Sequence, residues 1–120
     1  MKADETPGPR LAWEAVAEEP LPAGSGSVLR RFVSGEQMTV ARITFTAGSR
    51  VPAHRHTNEQ FSLVLSGRMR FTVAGKTLDV GPGELVYLAP DVEHGAEALD
   101  DSVVLDVFAP PRADWELSGR

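Results

Sequence analysis

Between Ser27 and Pro111 the chain alternates in steps of two. In "QMTVARITFTAG" (37–48), Thr39, Ala41, Ile43 and Phe45 alternate with Met38, Val40, Arg42, Thr44 and Thr46. "SVLRRFVSG" precedes it, and "FSLVLSG", "RMRFTVAG", "KTLDVGPG", "ELVYLAP" and "SVVLDVFAPP" follow, each closed by Gly, Pro or Asp. A period of two puts successive side chains on opposite faces of a strand. Short strands with a turn signal about every eight to twelve residues predict an antiparallel sandwich or small barrel. In "QFSLVLSG", Phe61, Leu63 and Leu65 form a bulky face that packs, while Gln60, Ser62 and Val64 form a small, mixed face suited to a lumen. "LAWEAVAEE" is readable as one helical turn or a strand, and "PLPAGSGS" ends it. Residues 1–10, charged and rich in Gly and Pro, read as a flexible tail. Residues 11–120 then form a single all-β domain.

Composition narrows the function. The 120 residues are 42% hydrophobic and 24% charged, with no cysteine, so disulfides, thiolate metal sites and cysteine nucleophiles are excluded. A net charge of −5 and a pI near 5.1 argue against a nucleic-acid partner, which needs clustered Lys and Arg. The doublet Arg30-Arg31 reads as a solvated strand end. No apolar run is long enough for a membrane span, and "MKADETPGPR" lacks the apolar stretch of a signal peptide. The expected setting is the cytoplasm.

The chemistry concentrates in three histidines. His54 and His56 lie two apart in "PAHRHTNEQF" (52–61). In an extended segment their rings leave one face, roughly 7 Å apart at the backbone. Two such imidazoles can converge on a cation about 2.0–2.1 Å from each nitrogen. If strand geometry holds to position 60, Gln60 shares that face and offers an amide oxygen. His94, in "APDVEHGAE", follows the strand "ELVYL" and is placed for delivery by a neighbouring strand.

Written as spacings, the first segment is Gly48, five residues, His54-x-His56, three residues, Gln60, six residues, Gly67. The second is Gly83, ten residues, His94. This resembles the two-part signature of the cupin superfamily, G-x5-H-x-H-x3,4-E-x6-G followed by G-x5-P-x-G-x2-H-x3-N. The resemblance covers residues 48–67 and 83–98, and every histidine of the chain falls on a motif position. It implies an antiparallel double-stranded β-helix, or jelly-roll barrel. It also implies one divalent transition metal ion (Mn, Fe, Co, Ni, Cu or Zn) held by His54, His56, Gln60 and His94. The chain departs from the signature at Gln60, where the family usually has Glu. Ala89 and Asp91 stand at its Pro and Gly positions, and Ala98 at its terminal Asn. Three neutral imidazoles and an amide leave the ion its full charge, which favours an anionic ligand.

A third segment, "VVLDVFAPPRADW" (103–115), together with "HRHTNEQ" resembles the small cupins that linearise unsaturated uronates. That resemblance assigns Asp106 and Arg112 to catalysis and Phe108 to substrate binding. The residues alone also allow a strand-edge Asp106, a core Phe108 and a surface Arg112. Tyr87 and Met38 are further candidates for a substrate-lining wall, with simple packing as the alternative. The implied function is a metal-dependent enzyme performing Lewis-acid-assisted isomerisation or ring opening of a small, anionic oxygenated acid. Alternatives are a dioxygenase of the flavonol or diketone type, a polyketide cyclase, and a sugar- or metal-binding module without turnover. Small cupins tend to pair through their sheets, so a homodimer is expected.

Overall fold

Alternation in the sequence becomes alternation in burial. Along Thr39–Phe45 every odd residue is buried and every even one half-buried, and Val28–Ser34 alternates likewise with its even residues buried. The computed structural model describes residues 1–5, 8–22 and 24–118. Its strands are β1 (Glu19–Pro20), β2 (Val28–Ser34), β3 (Thr39–Phe45), β4 (Arg50–His54), β5 (Glu59–Ser66), β6 (Met69–Val73), β7 (Lys76–Val80), β8 (Leu85–Leu88), β9 (His94–Ala98) and β10 (Ser102–Ala109). A short helix, α1 (Ala113–Ser118), follows.

The strands form a six-stranded sheet, β1-β2-β3-β10-β5-β8, and a four-stranded sheet, β4-β9-β6-β7. All strand pairs are antiparallel. Facing sheets of this kind form an antiparallel jelly-roll barrel. Phe32, Ile43, Phe45, Met69, Phe71, Leu88, Val104 and Phe108 fill its interior. Burying each such side chain stabilises the fold by about 1.5–3 kcal/mol.

The bulky face of β5, expected to pack, instead points outward. Phe61 and Leu65 are exposed beside Leu85 and Tyr87, while Gln60, Ser62 and Val64 are buried. Val104 and Leu88 on the neighbouring strands and Phe71 on the facing sheet fill the interior around β5, whose own inner face carries small and polar groups.

Tight turns set the register. Gly48, Gly67 and Gly83, the glycines that frame the two motifs, have φ of 84°, 86° and 82°. At Gly67 an added Cβ would collide with the Asp101 carbonyl and Ser102. Asp91, standing where the signature has Gly, takes a φ of 63°, a conformation Asp tolerates better than most residues.

Two further expectations change. The amino-terminal segment, expected to be a flexible tail, lies beside β2. Lys2 bridges Ser34, and the Met1 carbonyl accepts the Ser34 N–H at 2.7 Å. Thr6 and Pro7 of that segment lie outside the described residues. Arg30, expected at a solvated strand end, is 2% exposed. Strand parity turns it inward, where it pairs with Glu19 at 2.7 Å and stacks on Phe32 and Trp115.

Candidate functional site

Pairing of β4 with β9 sets His54 opposite His94. The chain runs two residues past β4 to His56 and turns at Thr57-Asn58 into β5. The ring centroids of His54 and His94 are 4.4 Å apart, those of His56 and His94 4.9 Å, and those of His54 and His56 5.5 Å. One nitrogen from each ring lies within 4.8 Å of the others, a group that could hold a metal ion.

The surrounding backbone fixes which nitrogen is available. Each Nδ1 lies at hydrogen-bond distance from a carbonyl two residues away: Pro52 at 2.9 Å, Asn58 at 3.0 Å and Val92 at 3.0 Å. With Nδ1–H donating, each Nε2 keeps a free lone pair, the tautomer a ligand needs. The His94 Nε2 is buried without a hydrogen-bond partner, at a typical cost of about 1–3 kcal/mol. A bound cation would satisfy it. Burial pushes the His94 pKa down to about 4. Burial, followed by the charge of Arg112, lowers that of His56. Both rings are therefore neutral near pH 7, as ligation requires.

Gln60 completes the cluster. Its Oε1 lies 3.0 Å from His56 Nε2. Because that nitrogen is unprotonated in the ligand tautomer, two acceptors face each other, an arrangement a cation relieves. Donors held about 2.1 Å from a shared ion lie roughly 3.0–3.4 Å apart, so the spacing suits a fourth donor. The Gln60 amide N–H donates to Ser62 Oγ at 2.9 Å, and the Ser62 hydroxyl donates to Asp106 Oδ1 at 2.6 Å. This chain fixes the amide with its oxygen toward the histidines. The expected route differs, however. Strand geometry stops at His54, and Gln60 reaches the cluster from β5 in the opposite sheet.

Along β10, parity turns Val104, Asp106 and Phe108 inward, and register sets Asp106 opposite Ser62 and Phe108 opposite Gln60. Burial raises the Asp106 pKa to about 6, against the lowering effects of Ser62, Gln60 and Arg112. Phe108 packs edge-on against His56 and Trp115. Arg112 is 7% exposed, with its guanidinium 4.8 Å from the Phe108 ring and 4.4 Å from that of Trp115. Its Nε and Nη2 donate to Asp114 at 3.0 and 2.9 Å, which leaves Nη1 for another anion. His54, His94, Gln60, Asp106, Phe108 and Arg112 all line one cavity of about 460 Å³.

Met38 and Tyr87 do not line it. Met38 is 47% exposed and borders a separate groove with Leu11 and Trp13. Tyr87 stands on the outer sheet face, where its hydroxyl donates to Glu59 at 2.8 Å. At both places the inward-facing positions, Thr39 and the pair Val86 and Leu88, belong to neighbouring residues. Sequence reading passed over Asn58, whose amide N–H groups donate to the Pro110 and Pro111 carbonyls at 2.6 and 3.3 Å. Asn58 thus ties the histidine loop to the segment carrying Arg112. Its place between His56 and Gln60 was the available signal. Ser62, two residues along the inward face from Gln60, was equally legible.

A jelly-roll barrel enclosing three histidines that could hold a metal ion is the arrangement of a cupin. The chain belongs to the cupin domain family, whose model matches residues 41–108. Among relatives, it is 33% identical over 67 residues to H2HPP isomerase of Bacillus subtilis, covering 54% of this chain but only 28% of that protein's length. It is 25% identical over 114 residues to the pectin degradation protein KdgF of Dickeya dadantii, covering 93% of each. The solved structure of an RmlC-like cupin from Shewanella frigidimarina superposes with a TM-score of 0.77 at 25% identity, over 85% of this chain and 90% of that one. Among the described residues, no helix is long and apolar enough to cross a membrane.

Proposed function

We propose that the protein is a metal-dependent enzyme that isomerises or ring-opens a small oxygenated acid by moving a proton, without redox change. Unsaturated uronates are one such class, and the likeness to KdgF supports considering them. The observation that carries the reading is Asp106, a carboxyl on the cavity wall with a pKa near 6, joined through Ser62 to Gln60. A divalent ion held by His54, His56, His94 and Gln60 would supply Lewis-acid polarisation of a coordinated oxygen.

The protein's own groups account for the rest. Asp106, with a pKa close to the working pH, can take a proton from carbon or oxygen and return it. Ser62 holds Oδ1 of that carboxyl, which leaves Oδ2 as its proton-carrying atom. Arg112 Nη1 would receive a carboxylate, while Asp114 and the two aromatic rings fix the orientation of the guanidinium. Phe108 excludes water behind His56.

Metal-loaded protein should be incubated under argon with an unsaturated uronate and with enolisable 2-oxo acids, following loss of ultraviolet absorbance and deuterium uptake from solvent. The reading expects turnover of at least one substrate without oxygen, abolished by chelation. Turnover that strictly requires oxygen would overturn it.

A further inference from the structure

The cavity is polar at one level only. Ser62, Asp106, His54 and His94 form that level together with Gln60 and Arg112. Two residues away from Asp106 along β10 and from His94 along β9, apolar side chains take over. On β10 and β3, Asp106 gives way to Val104, paired with Ile43. On β9, His94 gives way to Ala96, which pairs with Phe71 of β6 and Val51 of β4. Phe45 closes this ring further along β3, and all six side chains line the cavity. None of them can donate or accept a hydrogen bond. The polar groups above are largely engaged already: Ser62 with Gln60 and Asp106, and two guanidinium nitrogens of Arg112 with Asp114.

We infer that the substrate has a carboxylate-bearing, oxygenated head and an apolar carbocyclic or aromatic body that occupies the Ile43–Phe45–Val51–Phe71–Ala96–Val104 ring. The inference rests on the proposed reaction class for the head and goes beyond it for the body. A polyhydroxylated body placed in this ring would lose water from each hydroxyl and find no side-chain partner. A hydrocarbon body would instead gain by burying its surface. Among the small oxygenated acids proposed above, the ring therefore favours those with an apolar body over sugar acids such as the unsaturated uronates.

Two unreactive carboxylates that differ in the body, phenylacetate and galacturonate, provide the test. Their binding to metal-loaded protein is measured by calorimetry, with no turnover involved. Phenylacetate is expected to bind at least about tenfold more tightly, with a negative heat-capacity change that marks apolar burial. Val51→Thr, which adds a hydroxyl at nearly constant volume, should narrow that preference. Equal or tighter binding of galacturonate would overturn the inference and leave proton-transfer chemistry standing. So would failure of both probes to bind at millimolar concentration. A phenylacetate preference in a protein showing no anaerobic turnover would support the inference about the cavity and sink the reaction class.

Discussion

Replacing Asn58 separates a hydrogen-bonding role from simple space filling. The residue is 7% exposed, and its amide donates to the Pro110 carbonyl at 2.6 Å and the Pro111 carbonyl at 3.3 Å. The Pro111 carbonyl also accepts the Ala113 N–H, so only the Pro110 carbonyl loses its partner when the donor is removed. Asn58→Ala should therefore cost about 1–2 kcal/mol. Asn58→Asp keeps the size but sets an anionic oxygen against a carbonyl oxygen. It should cost about 3 kcal/mol at pH 7.5, more than the truncation. The penalty falls on the charged form, so the folded-state pKa of the new carboxyl rises above its unfolded value of about 3.9. At about 1.4 kcal/mol per pKa unit, a 3 kcal/mol penalty corresponds to a folded pKa near 6. Between those values the folded state binds more protons, so the deficit should shrink as pH falls from about 6 toward 4. Urea unfolding of chelator-treated protein at pH 7.5 and 4.5, each referred to wild type, measures it. An Asn58→Asp variant as stable as wild type at pH 7.5, or one whose deficit ignores pH, would refute the assignment.

Other outcomes follow from the same geometry. In metal-free protein, Asp106→Asn retains an acceptor for the Ser62 hydroxyl and removes a buried charge. Because the Asp106 pKa is raised to about 6, the variant should be more stable by about 3 kcal/mol at pH 7.5. Wild type recovers that stability as protonation proceeds from pH 6 toward 4, so the advantage should vanish there. The same variant should lose about 10²–10⁴-fold in turnover, and a destabilised variant at pH 7.5 would contradict the burial argument. Ala74 sits at φ 48° beside Gly75 at φ 82° in the β6–β7 hairpin. A two-residue turn with both φ positive favours Gly at either position, so Ala74→Gly should raise stability by up to about 1 kcal/mol in thermal unfolding.

The barrel was legible because its strands are half-buried, and half-burial writes itself as alternation. β9 escaped this reading. Its residues Gly95, Ala96 and Ala98 are too small to look like a core strand, and Gly95 is small because β4 presses close against it. Arg30 shows the opposite failure: a charged residue type suggested solvent, while its parity with Val28 and Phe32 pointed inward. The three histidines were readable from their spacing. Gln60 was placed by strand parity, although a turn crossing from one sheet to the other is what delivers it. Asp106 and Phe108 share an inward face that alternation along β10 could supply. Met38 and Tyr87 are large and sit near strand ends, so composition suggested a lining role that parity denied them. The cavity's division into a polar level and an apolar ring depends on register between strands, which no single strand encodes.

The proposed metal site is tested most directly by elemental analysis of protein purified without a histidine tag, beside the His54→Ala/His94→Ala double variant. The account predicts close to one equivalent of a divalent transition metal in wild type, and none in a double variant that retains its β-sheet circular dichroism. Stoichiometric metal persisting in the folded double variant would contradict it.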